Sequence, residues 1–572
     1  MRERRGWAPR RWAARRRALL AAAITSSVFA LTACVGIPSS GPVNAGLSLS
    51  EDSGGSNIAF NPEGPERGAT QQAILKGFIA SFTSATGGYA VSKQFLSQSF
   101  ATKWDPRQSV QVRMGTPQIS QVDTATVSYS FDTMASVDST GAYSQGSQSF
   151  TLPFTFVKEA GQWRISAAPD GIVLADQTFA RIFRQYPLYF LAPDDRYLVP
   201  DVRWFPSGTA ATRIVSALLA GPPDWLKGAA FSRFPDGTKL SDAGSAVTLT
   251  EGVARVDLSR EALAAGSRDR QYMYLQLTES LRSVSSISQV SLSIQGTPLQ
   301  VDDLGAAGPQ VDMSVDSQPL VLRKGEFGFY ANARVAPLAG ISSKVLTLGP
   351  KDATLSSDQQ EVAVLGTAGV SVVRKSGPVT LIDPRPGLIA PSLDEDGYIW
   401  SVPAGDPNTI IAFDPSAAPH PVSPKIQDGS QMVALEVSRE GARLLMLLST
   451  PTGPRLVVAA ILRNEKLVPT GIGPAIVDVS LGNGVAVDAT WVDQWTVGTL
   501  QTADGQSRVE LYAIGGQKTA LSSLGSSRQI VGGNKGKDGL RVRGGADSAV
   551  YTWGGSSWQS SKVTVDFIAT QR

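Results

Sequence analysis

A chain of 572 residues, with 52 Lys and Arg against 49 Asp and Glu, has material for several hydrophobic cores, because single cores divide beyond roughly 250–300 residues. Its one cysteine and one histidine exclude an internal disulfide, a Cys/His zinc cluster and an HExxH metalloprotease. Residues 1–17 hold eight arginines against Glu3, so they supply +7 of the formal charge of +3; the remainder carries 3 − 7 = −4 and presents no clustered basic surface for nucleic acid.

The arginine-rich segment runs into ALLAAAITSSVFALTA, residues 18–33, which falls short of the ~20 apolar residues of a membrane-spanning helix and predicts a secretory signal over residues 1–33. It closes on Leu31, Thr32, Ala33 and Cys34, which resembles the bacterial lipobox: an aliphatic residue, two small residues and the cysteine whose thiol takes a diacylglyceryl group. The resemblance implies cleavage before Cys34, S-diacylglyceryl and N-acyl groups on that residue, and a lipid anchor at the outer face of the cytoplasmic membrane. Two or more acyl chains hold a protein there stably where one does not. Residues 34–66 follow as a Gly-, Ser-, Pro- and Asn-rich stretch without an apolar period, and read as a flexible tether.

Order is expected from Thr70, a helix N-cap ahead of Ile74, Leu75, Phe78, Ile79 and Phe82 at helical spacing; a second helix carries Val91, Phe95 and Leu96. The period then switches to two in Val110/Val112/Met114, Val127/Tyr129/Phe131, Phe150/Leu152/Phe154/Phe156 and Trp163/Ile165. Helices followed by a curved antiparallel sheet resemble the NTF2-like cone, an α+β domain placed over residues 67–186, with its aromatic residues expected in the core.

Residues 187–300 open with a short strand, Leu188-Tyr189-Phe190, and a loop through Asp194 and Asp195. A helix follows from Thr209, stopped by Gly221-Pro222-Pro223. Strands are expected at Val247/Leu249, at Val253 to Leu258 and at Val290/Leu292/Ile294, with a helix over residues 269–284 between the last two. The segments ALLAGPPDWL, FPDGTKL, GVARVDLS and VSLSIQG, in that order, are similar to the GerMN domain of spore-germination proteins, also α+β.

Residues 319–572 have an all-β texture. Apolar runs follow Asp358, Asp396-Gly397, Glu440-Gly441, Asp493 and Asp538-Gly539, at intervals of 38, 44, 53 and 45 residues. These bracket the ~40–50 residues of a propeller blade, and five to seven blades fit. Closure into a ring leaves no strand edge exposed. A lipobox, an NTF2-like segment, a GerMN-like domain and a propeller in this order resemble the actinobacterial LpqB lipoprotein family. That resemblance implies a role accessory to the MtrA/MtrB two-component system, through contact with the extracytoplasmic part of the sensor kinase MtrB, placed on the GerMN-like or propeller domain.

Chemistry-bearing motifs are sparse, and no catalytic residue, metal site or cofactor is expected. His420 lies in the proline-rich SAAPHPVSP, read as a loop, and no GxxxxGK[ST] or GxGxxG follows a strand. Asp394-Glu395-Asp396-Gly397 is the densest acidic group at a turn. A hairpin is its first reading, with a cation loop or a catalytic acid as alternatives. Trp400, Trp491, Trp495, Trp553 and Trp558 sit in or beside apolar runs and are expected in the core rather than lining a sugar site. The chain therefore reads as a non-enzymatic interaction lipoprotein. The alternatives are an envelope glycan-binding or glycan-cleaving protein using carboxylates, and a binder of small lipid or glycan in the NTF2-like cone.

Overall fold

A computed structural model describes residues 62–85, 87–242 and 246–572. The lipobox residues Leu31, Thr32, Ala33 and Cys34, and the tether as far as residue 61, lie outside the described residues. Residues 59–572 form one compact unit. Among the described residues no helix is long and apolar enough to cross a membrane.

The first domain begins with α1 (Gln71–Ser81), capped by Thr70, whose hydroxyl accepts the Ala73 amide at 3.2 Å. The expected second helix is two single turns, α2 (Ala90–Lys93) and α3 (Gln98–Ala101), each too short to bury a stripe of its own. Strands β1 (Ser109–Gln121), β2 (Thr126–Asp138), β3 (Tyr143–Glu159), β4 (Gln162–Ala167) and β5 (Ile172–Ala175) form one sheet in the order β4-β3-β2-β1-β5, with β5 parallel to β1. Period-two burial along β2 turns Val127, Tyr129, Phe131, Ala135 and Val137 toward α1 and its neighbours. The concave side is filled by the protein's own rings: Phe78, Phe82 and Trp104 have centroids 4.8–5.8 Å apart.

After α4 (Asp176–Ile182) the chain enters a hairpin, β6 (Phe183–Leu191) with β7 (Leu198–Pro206), in continuous antiparallel register from Phe183↔Pro206 to Leu191↔Leu198. The loop expected to lead straight to the helix at Thr209 is therefore largely strand. Every residue of β7 from Leu198 to Phe205 is buried, including Asp201 and Arg203, so neither face shows the alternation of a half-exposed strand. Helix α5 (Ala210–Leu219) then packs Ile214, Val215 and Leu218 inward. Strands β8 (Thr248–Thr250), β9 (Val253–Leu258), β10 (Gln289–Ile294) and β11 (Thr297–Pro298) form a sheet in the order β11-β10-β9-β8. Helix α6 (Ser267–Leu281) is the crossover between the parallel strands β9 and β10.

The remaining strands form six blades of four strands each, and blade five adds a short fifth strand, Leu524–Gly525, that pairs with its third. Blades two to six span 352–383, 392–422, 431–480, 485–520 and 527–564 in sequence order. The first blade takes its three outer strands from Leu320–Arg323, Glu326–Ala331 and Arg334–Ala336, and its inner strand from Phe567–Gln571. The ring thus closes by pairing two distant segments, and Phe567–Gln571 also runs parallel to the inner strand of blade two. All five acidic turn signals fall between the first and second strands of blades two to six. Blade one lacks such a turn because its inner strand arrives from elsewhere in the chain.

The core of the GerMN-like domain is continuous with that of blades four and five: Leu188, Phe190, Ile214 and Leu277 share one buried apolar cluster with Leu445, Leu456, Trp491 and Ile514. Strand β7 joins all three parts. The Trp204 amide donates to the Gly141 carbonyl and its indole to Gly515 of blade five, both at 2.8 Å. Arg203 donates to Asp201 and to the Thr140 hydroxyl, each at 2.6 Å, and the Trp225 indole completes Asp201 at 3.3 Å.

Candidate functional site

The acidic turn of blade three is built by its own side chains. Asp394 is buried; its Oδ1 accepts the amides of Asp396 and Tyr398 at 3.1 and 2.8 Å, which is the bonding of an Asx-type turn. Its Oδ2 accepts the Trp400 indole at 2.9 Å and the Arg463 guanidinium of blade four at 2.6 Å. Arg463 also lies 3.3 Å from Asp396, which in turn accepts from Arg196 of the GerMN-like domain at 2.8 Å. Glu395 accepts the Tyr197 hydroxyl at 3.1 Å and the Ser357 hydroxyl at 2.9 Å; burial raises its pKa and that of Asp396. All three carboxylates are thus committed to a hairpin, to the joint between two blades and to the joint with the preceding domain.

Neighbouring turns do the same work. Arg439 in the turn of blade four donates to the Met313 carbonyl at 2.8 Å. Gln494 in the turn of blade five accepts from Tyr189 at 3.3 Å, and Asn534 of blade six exchanges two hydrogen bonds with the backbone of Val315. The propeller face carrying these turns is covered by the GerMN-like domain and by the segment that leaves it.

His420 lies not in a loop but in the outer strand of blade three, Pro419–Val422. Edge pairing tolerates the prolines because their missing N–H groups need not meet a neighbouring strand. The imidazole Nε2 is 3.2 Å from Asp414, and Ser416 donates to the other oxygen of that carboxylate at 2.6 Å, so no serine hydroxyl sits on the histidine. These bonds hold the Asp414 carboxyl down to about 2.

Of the propeller tryptophans, Trp400, Trp491 and Trp553 are buried. Trp491 donates to the Glu436 carbonyl at 3.2 Å under the Arg443 guanidinium, while Trp558 donates to Ser522 at 2.8 Å and Trp495 packs beside Tyr189 and Tyr272. Core packing accounts for them. Among the described residues no group of three or more His, Cys, Asp or Glu is placed to hold a metal ion.

A cavity among the described residues lies elsewhere. A cavity of about 290 Å³ opens at the seam between the first domain and the GerMN-like domain. Tyr89 and Arg107 border it from the loops around α2 and before β1, Val137 and Asp138 from the end of β2, Phe183 and Trp204 from the hairpin, and Arg213 from α5. Sequence reasoning had no means of nominating this set, since its members come from five separated segments.

Three family models match the chain: the LpqB lipoprotein N-terminal domain over residues 64–180, the sporulation and spore germination domain over 187–300, and the LpqB β-propeller domain over 325–566. Lipoprotein LpqB of Cutibacterium acnes is 31% identical over 50% of this chain and 48% of its own length, so the chain spans about half of that relative. Lipoprotein LpqB of Bifidobacterium longum is 25% identical over 79% of this chain and 80% of its own. The first GerMN domain of the Bacillus subtilis sporulation protein GerM is similar at 24% identity over 22% of this chain and 92% of that one, with a TM-score of 0.18. None of these descriptions is that of an enzyme family, and a lipoprotein family is one of membrane-anchored envelope proteins. With all three of its folded parts matched in order, the chain belongs to the LpqB lipoprotein family.

Proposed function

We propose that the protein is a non-enzymatic partner lipoprotein, anchored through Cys34 at the outer face of the cytoplasmic membrane, that modulates the MtrA/MtrB system by contacting the extracytoplasmic part of MtrB. The partner follows from the family resemblance. The observation that carries the non-enzymatic reading is the commitment of Asp394, Glu395, Asp396, Asp414 and His420 to structural bonds. A glycan-cleaving reading loses its leading carboxylates by the same bonds.

The internal packing also narrows the contact surface. Because the GerMN-like domain covers the first-to-second-strand turns, the open end of the ring is the opposite face, formed by turns such as Thr450–Gly453 and the Asp504-Gly505 pair. Anchorage at the same membrane as the kinase raises the effective concentration of the folded domains around it. Deleting residues 35–60 while keeping Cys34 tests this: MtrA-dependent transcription should fall while the thermal stability of the folded part is unchanged. Unchanged signalling, or cleavage of peptidoglycan or arabinogalactan by the purified protein, would overturn the reading.

A further inference from the structure

The seam cavity combines apolar walls with two arginines, Arg107 and Arg213, that make no direct ion pair among the described residues. Arg213, half-buried on α5, spends one nitrogen on the Ser139 carbonyl at 2.8 Å and lies 5.4 Å from the Phe205 ring. Arg107 borders the same space from the loop before β1. Among the described residues neither arginine has a carboxylate within ion-pair distance. The one acid on the wall, Asp138, turns its Oδ1 to the amides of Thr140 and Ala142 and to the Thr140 hydroxyl at 2.7–2.9 Å, where it organises the β2–β3 turn.

Arg107 is exposed at the rim of this space and Arg213 is half-buried in its wall. Burial first, and the charge of Arg107 second, lower the pKa of Arg213, against an opposing pull from Tyr89, Asp105 and Asp138. An anion between them removes both penalties, and guanidinium forks suit carboxylate and phosphate oxygens. Tyr89 adds a neutral donor: burial pushes its phenol up to about 12, so it keeps its proton at neutral pH. Its backbone is left-handed, φ 63°, a conformation that is strained for a bulky residue and tends to persist where it positions a side chain. Val137, Phe183 and Trp204 add apolar surface to the lining.

We propose that this cavity binds a small amphipathic anion, a carboxylate or phosphate monoester carrying an apolar group, with Arg107 and Arg213 on the charge and Phe183 and Trp204 around the apolar part. At the ~30 Å³ that one water-sized atom occupies, the space takes roughly ten heavy atoms, which is a short acyl or aryl group and not a whole phospholipid. The proposal is independent of which protein the lipoprotein contacts.

The test is calorimetric titration of the full mature chain with Cys34→Ser, which needs no detergent, against hexyl phosphate, 1-hexanol and inorganic phosphate. Hexyl phosphate should bind at least tenfold more tightly than either half-ligand, and Arg107→Gln and Arg213→Gln should each weaken it at least tenfold while leaving 1-hexanol unaffected. Arg213 also braces the Ser139 carbonyl, so Arg107→Gln is the variant free of structural side effects. No measurable heat, equal binding of 1-hexanol, equal binding of inorganic phosphate, or unchanged affinity in the Arg107 variant would each overturn the proposal. Co-sedimentation with phosphatidylcholine vesicles containing phosphatidate, a phosphate monoester, identifies the source: sedimentation lost in Arg107→Gln supports a lipid headgroup, and hexyl phosphate binding without such sedimentation supports a soluble anion.

Discussion

Replacing Arg463 with Met tests whether the acidic turn of blade three is a structural fastener. The guanidinium is 3% exposed; it lies 2.6 Å from Asp394, which is wholly buried, and 3.3 Å from Asp396, and it also donates to the Leu467 and Gly441 carbonyls. Methionine keeps the volume but leaves the buried Asp394 carboxylate without a counter-charge, a loss of about 3–5 kcal/mol for a buried pair, while Asp396 keeps Arg196 at 2.8 Å. An exposed pair such as Lys227–Asp224, with side chains 69% and 90% exposed, is screened by solvent, so Lys227→Met should leave the unfolding midpoint nearly unchanged. Urea unfolding followed by tryptophan emission measures both, because Trp400 donates to the same Asp394 oxygen and reports loosening of the turn directly. Adding Asp394→Asn to Arg463→Met should recover part of the loss, since the deeper charge is then gone. If Arg463→Met cost no more than the Lys227 control, the turn would not be held by this pair and its carboxylates would again be open to a functional reading.

Burial pushes the carboxyl of Asp352, which accepts from Gln529 at 3.0 Å in the inner wall of the ring, up to about 7 from the ordinary 3.8, and the charge of Glu436 adds to this. The folded state then holds a proton that the unfolded chain has released, so thermal stability should fall as pH rises from about 4 through 7, and Asp352→Asn should remove that part of the slope. Gly515 has φ +67°, and a Cβ there would meet the Val202 carbonyl of β7 at 2.6 Å, so Gly515→Ala should destabilise the joint between hairpin and blade five by on the order of 1–3 kcal/mol, measured as a lowered unfolding midpoint. Cys34→Ala should abolish metabolic incorporation of a palmitate analogue; label retained in that variant would refute lipidation, because the chain has no other thiol.

Much of the propeller was legible because its signal is local. Each acidic turn lies directly between two apolar strands, so its recurrence marks the blades, and six of them form. Blade one left no such mark, as its strands come from residues 320–336 and 567–571. Strand β7 was illegible for a related reason: Tyr197-Leu198-Val199-Pro200-Asp201-Val202-Arg203-Trp204 is buried between three domains, and its two charges compensate each other inside the core rather than facing water. The partner of Asp394 stands 69 residues away in the next blade, and the arginines of the seam cavity stand 106 residues apart (213 − 107), so no spacing rule connects either set. The two prolines that flank His420 predict a loop, yet an outer strand accommodates both.

The most direct test of the account is site-specific photocrosslinking in intact cells, with a photoreactive residue at Thr452 or Asp504 on the open face of the propeller, and at Asn534 on the covered face as the comparison. The account predicts that the first two positions capture the sensor kinase MtrB and that Asn534, bonded to Val315 within the same chain, captures no other protein. Capture of a transporter or a wall synthase in place of any sensor kinase would contradict it.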